Sequence, residues 1–146
     1  MEPILQKSVK HNDAFYKLNW SRLAEAERHD IMRIVPSVSG IYELYYQDIK
    51  KQLRLFFVSI AWYGGLRNAI REKTDLELEI DKKRREILEK YKCFFRYSVS
   101  NSFNDLKDVL FFFSETYFPG RILKDHSDRY ENIHVEEVSD DNIISR

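Results

Sequence analysis

Two apolar runs, Ile41–Tyr46 and Leu53–Trp62, are separated only by Gln47-Asp48-Ile49-Lys50-Lys51 and Gln52. Both are rich in β-branched and aromatic residues, the composition of a pleated, half-buried surface. A connection this short cannot carry a crossover, so the two strands must pair antiparallel. The second run is apolar on both faces over much of its length, which predicts a central strand. A third strand is expected at Cys93–Val99, where apolar residues alternate loosely.

Around these strands the pattern turns helical. Leu18, Leu23, Ile31 and Ile34 interleave with Ala24, Ala26 and many charges, so residues 3–34 are predicted to form an N-terminal helical extension, stopped by Pro36. A helix is expected after Gly64-Gly65, with Leu66, Ala69 and Ile70 inward, and an exposed one over about Leu76–Lys90. The second is supported by the i,i+4 pairs Glu79–Lys83, Asp81–Arg85 and Glu86–Lys90. Ser102-x-x-Asp105 resembles a capping box, and the stripe Leu106, Val109, Leu110, Phe113, Tyr117 marks a core helix ended by Pro119-Gly120. Phe111 and Phe118 fall off that stripe and suit a partner surface. Residues 121–146 read as a polar, acidic tail holding one edge strand, Ile133–Val138, and fraying at Asp140-Asp141-Asn142. The expectation is an α+β fold: a small antiparallel three-stranded sheet flanked by helices, in one folded unit.

Composition narrows the function classes. A single cysteine, Cys93, excludes an internal disulfide and any cysteine zinc cluster, and with no hydrophobic leader it points to a reducing cytoplasm. No apolar run approaches the roughly 18 residues of a membrane span. The four histidines are scattered without metal-ligand spacing, and no phosphate loop or nucleophile constellation is present. The 24 basic and 24 acidic residues balance, yet residues 50–96 carry +6 and residues 97–146 carry −5. A basic middle can present a local positive field to a polyanion.

Residues 35–120 resemble the GIY-YIG endonuclease superfamily. The likeness rests on Val35-Pro36-x-x-x-Gly40-Ile41-Tyr42, on Phe57-Val58-Ser59 in the second strand, on Leu66-Arg67-Asn68-Ala69-Ile70-Arg71 opening a helix, and on a strand and helix before Pro119. It implies a three-stranded antiparallel sheet with helices, and metal-dependent phosphodiester cleavage of DNA or RNA. Under the resemblance, Tyr42 would accept a proton or orient water. Arg67 or Arg71 would hold the phosphate, and Asp108, on a face with Asp105 and Glu115, would bind Mg²⁺. Departures stand beside the matches. Phe57 lacks the hydroxyl of the second motif's tyrosine, Ser59 replaces its glycine, the family's arginine would align with Ala69, and its glutamate with Val109 or Leu110.

The residues leave further possibilities open. Lys82, Lys83 and Arg85 within a basic run could track a nucleic-acid backbone or simply form a solvated face. Tyr63, beside Gly64-Gly65, could contact a nucleic acid where the backbone permits close approach. The expectation is a nucleic-acid-contacting domain with weak or no nuclease activity; the alternative is a non-catalytic protein-interaction module with an aromatic surface.

Overall fold

A computed structural model describes residues 2–118 and 125–141. The chain runs β1 (Leu5–Lys10), β2 (Asp13–Asn19), β3 (Ala24–Glu25), α1 (Arg28–Ile34), β4 (Gly40–Gln47), β5 (Leu53–Ala61), α2 (Gly65–Thr74), α3 (Lys82–Lys90), β6 (Cys93–Val99), α4 (Phe103–Tyr117) and β7 (Asn132–Val138). The mixed α+β class is as expected, but the single three-stranded sheet is not. One sheet has four strands in the order β3-β6-β4-β5, and a second has three in the order β1-β2-β7.

The hairpin forms as its sequence requires. Asp48 organises the turn, its Oδ1 accepting from the backbone N–H groups of Lys50 and Gln52 at 2.9 Å each. β4 lies between β5 and β6, antiparallel to both. β5 therefore ends the sheet, and the central position expected for it belongs to β4.

The N-terminal helical extension is overturned. Only Arg28–Ile34 is helical there, and β1 pairs antiparallel with β2. The decisive pattern is the period of two in Ala14, Tyr16 and Leu18, all buried, alternating with exposed Phe15 and Lys17. The chain's other end completes this sheet, since β7 pairs parallel with β2 from Asp13↔Asn132 to Asn19↔Val138. The strand expected within the tail is thus present, and at a sheet edge.

Side-chain alternation along β4 divides the core. Ile41 points to a cluster with Ala14, Tyr16, Leu18, Trp20 and the α4 stripe Leu106, Val109, Leu110 and Phe113. Tyr42 points to the other face, among Ile31, Val35, Leu66, Ile70, Phe95 and Tyr97. The four-stranded sheet is thus covered by α1 and α2 on one side, and by α4 with the second sheet on the other.

α4 begins as its cap predicts, Ser102 Oγ accepting from Asp105 N–H at 3.2 Å. The expected Pro119-Gly120 stop lies outside the described residues, as does Asn142. α3 is shorter than its charge pattern suggested. Asp81 is the N-cap, accepting from Arg84 N–H at 3.0 Å, and Ile80 stands 91% exposed. The helix buries none of its residues.

Candidate functional site: the open edge of β5

The residues expected to share a nuclease cleft do not meet. Tyr42 is 2% exposed and packs on Phe57, ring centroids 5.9 Å apart; burial pushes its phenol well above the usual tyrosine range, against the smaller opposing effects of the Ser59 hydroxyl and Arg84. A phenol so placed is a poor proton acceptor. Arg67 spends its Nε–H on the Val35 carbonyl at 2.7 Å, securing α2 to the end of α1. Arg71 follows one turn later, half-buried.

Asp108 lies across the sheet from Tyr42, on α4. It is fully buried, and its carboxylate accepts from Tyr16 Oη at 2.8 Å, Ser127 N–H at 2.7 Å, Ser127 Oγ at 3.0 Å and Arg129 Nη2 at 3.1 Å. Its oxygens are consumed by internal donors, so this carboxylate does not fit a Mg²⁺ ligand. Among the described residues no group of three or more His, Cys, Asp or Glu side chains is arranged to hold a metal ion. The shared cleft fails because neighbours in a strand face opposite ways: Ile41, not Tyr42, looks toward α4.

The basic run is also divided. Arg85 Nη1 donates to the carbonyl oxygens of Leu76 and Glu79. Arg84 Nε donates to Glu79 Oε2 at 3.1 Å, and Lys73 Nζ stands 3.9 Å from that oxygen. Burial would raise the Glu79 carboxyl, but the hydrogen bonds from Arg84 and the Asp81 N–H, with Lys73 beside them, hold it below the usual range. Of the expected i,i+4 pairs none forms among the described residues: the helix starts after Glu79 and Asp81, and inside it Glu86 and Lys90 do not pair. Lys82 and Lys83 are exposed and have no carboxylate partner among the described residues. Tyr63 projects into solvent, 94% exposed, in the turn before α2.

What the fold does assemble is a groove of about 510 Å³ along the outer edge of β5. β5 lines it with Leu55, Phe56, Phe57 and Val58, α3 and its cap with Asp81, Lys83, Arg84 and Ile87, and Tyr46 and Phe118 complete it. The Arg84 guanidinium lies 4.7 Å from the Phe57 ring centre and the Lys73 ammonium 5.6 Å, so cations cover this one ring. Among the described residues no strand pairs with this edge. Every second N–H and C=O of an edge strand points away from its sheet, ready to pair with another chain. A strand apolar on both faces and left at an edge is the feature of this surface that calls for a ligand.

A family model described as "Uncharacterised protein" matches residues 4–146. The chain belongs to that family. Its span takes in every strand of both sheets. No curated protein and no solved structure matches the chain.

Sequence reasoning missed two polar networks on the α4 side of the sheet. In one, Arg96 Nε donates to Glu43 Oε1 at 2.7 Å, Tyr45 Oη donates to the same oxygen at 2.7 Å, and Arg96 stacks 4.4 Å from Trp20. Trp20 Nε1 and Tyr117 Oη both donate to Glu137 of β7, at 2.8 and 2.7 Å. In the other, Asp105 accepts from Lys7 Nζ at 3.0 Å and Arg129 Nη2 at 2.8 Å beside Asp108. Burial of their partners explains both: they tie β1, β7 and α4 together across the interior. The available sequence signal was one charged residue, Glu43 or Arg96, inside each otherwise apolar strand.

Proposed function

We propose that this chain is a non-catalytic interaction module that seats an extended polypeptide strand along the outer edge of β5. The observation carrying this reading is an aromatic groove laid along a strand edge that no described strand pairs. Strand addition supplies backbone hydrogen bonds for affinity and side-chain pockets at alternate positions for selection. Leu55 and the half-exposed Ile87 offer such apolar contacts.

The nucleic-acid reading has one specific support, the exposed Lys82 and Lys83, without a carboxylate partner among the described residues, beside the aromatic rings of the groove, since cations and aromatic faces together serve single strands. Kinship with the GIY-YIG superfamily is a proposal resting on the order hairpin, helix, strand, helix. Its chemistry is not part of this reading, because Tyr42 and Asp108 occupy opposite faces of the sheet.

The test follows β5 backbone amides by NMR while extended peptides with alternating apolar residues, or a single-stranded oligonucleotide, are titrated. Peptide-induced shifts confined to β5, α3 and Phe118, and insensitive to salt, are expected. Oligonucleotide binding that weakens about sevenfold from about 50 to 200 mM salt, the value for two phosphate contacts on a single strand, would favour the second reading. Amides of β5 that respond to neither probe would overturn both.

A further inference from the structure

The chemistry of the seated strand follows from the two faces that the groove joins. Phe57 packs with the cluster that holds Tyr42, and Val58 with the cluster under α4, so consecutive groove residues point to opposite faces of the sheet. The register of β4 with β5 shifts between Leu44 and Tyr45 and leaves Phe56 unpaired, so regular alternation runs from Phe57 to Ala61. Residues opposite each other in paired strands share a face. A strand added along β5 therefore sends one set of side chains toward Phe57 and α3. The alternate set goes toward Val58 and Phe118, the residue that follows α4.

The two sets meet different chemistry. On the α3 side, Lys83 is exposed and has no carboxylate partner among the described residues. Arg84 and Lys73, both over the Phe57 ring, share the one buried carboxylate of Glu79. Asp81 is the one acid among the described groove residues, and as helix cap it accepts the Arg84 N–H. Three cations here thus stand against two carboxylates, while Glu86 and Glu89 do not line the groove. β5, α2 and α3 all fall within residues 50–96, whose +6 charge adds a field of the same sign. On the α4 side, Val58 and Phe118 are apolar, and no charged residue joins them among the described groove residues.

We propose that the strand seated on β5 is an extended segment of a partner protein in which acidic and apolar residues alternate, the acidic set turned toward Lys83 and Arg84 and the apolar set toward Val58 and Phe118. This rests on the strand-addition reading above and specifies its partner. Backbone pairing supplies the affinity common to all strands, and the carboxylates select among them.

The experiment titrates nine-residue peptides, the length of β5, into the full chain by fluorescence anisotropy, with β5 amides followed by NMR. One peptide alternates valine with glutamate, one alternates valine with serine, and one holds its valines and glutamates in separate blocks. The alternating acidic peptide is expected to bind about fivefold tighter than the serine one, the scale of a rim ion pair. That advantage should fade as salt rises from about 50 to 500 mM. Lys83→Glu alters an exposed side chain, so the variant should fold; it should abolish the advantage and leave serine-peptide binding unchanged. Equal affinity for the acidic and serine peptides, with both shifting β5, would overturn the proposal and leave strand addition standing. A block peptide that binds as tightly as the alternating one, or a single-stranded oligonucleotide of equal charge that binds as well and is weakened equally by Lys83→Glu, would show that charge alone is read, and would overturn it too. β5 amides silent to every peptide sink both readings.

Discussion

Gly40 shows how tightly one residue can be specified. It lies in β4, facing Ala61 on one side and Val99 on the other. A β-carbon there would overlap the Ser98 carbonyl oxygen and stand 2.8 Å from Leu66 Cδ1. The oxygen belongs to the backbone and cannot swing away. Gly40→Ala should therefore cost about 3 kcal/mol, the upper range for overpacking a core, read as a shift of the urea midpoint at unchanged slope. Its role is to let α2 and β6 approach β4. The glycine of Gly40-Ile41-Tyr42 thus has a packing explanation that needs no catalysis. The same is true of Arg67, whose bond to Val35 secures α2.

At the scale of elements, the N-terminus of α4 is a clasp. Asp105 takes Lys7 from β1 and Arg129 from the segment before β7, so one carboxylate joins three parts of the chain. Burial would raise the Asp105 carboxyl, but hydrogen bonds from Arg129 and Lys7 hold it below its ordinary value. A carboxylate depressed in the folded state adds stability at pH above its unfolded value, about 3.9. That stability is lost as pH falls through the lower folded value. Stability measured by urea from about pH 5 down to 2 should decline in the parent chain and decline less steeply in Asp105→Asn. An equal slope in both would show that the clasp contributes nothing to acid sensitivity. The clasp was half legible: Ser102-x-x-Asp105 announced the cap, but nothing in the local pattern named Lys7 or Arg129 as partners. α3 offers the opposite lesson. Its i,i+4 charges suggested a longer helix, yet Glu79 gains more by turning inward to Arg84 and Lys73.

The whole molecule is closed by its last strand. β7 pairs with β2 across almost the full sequence, Val138 accepts a backbone bond from Trp20 at 2.9 Å, and Glu137 satisfies the Trp20 and Tyr117 donors. A chain ending before Asn132 strips Ala14, Tyr16 and Leu18 of a sheet neighbour and strands buried polar groups. It should lose the cooperative unfolding transition and the near-ultraviolet dichroism of its buried aromatics, while keeping part of its helical signal. Retention of a sharp transition would show that the second sheet is dispensable. Among the described residues no helix is long and apolar enough to cross a membrane.

The sequence by itself determined the β4–β5 hairpin, the strand Cys93–Val99, the cap and inner stripe of α4 and the helix after Gly64-Gly65. These are local: turn residues, caps and periodicity act within a few positions, where chain entropy is cheap to overcome. Tertiary structure alone decided that residues 5–19 are strands, that the tail contributes β7, that β5 sits at an edge, and that Tyr42 and Asp108 look away from each other. Each of these depends on which distant segment covers which face, and a run apolar on both sides reads the same in a sheet's centre and at its border. The border is where the described fold leaves a strand ready to pair.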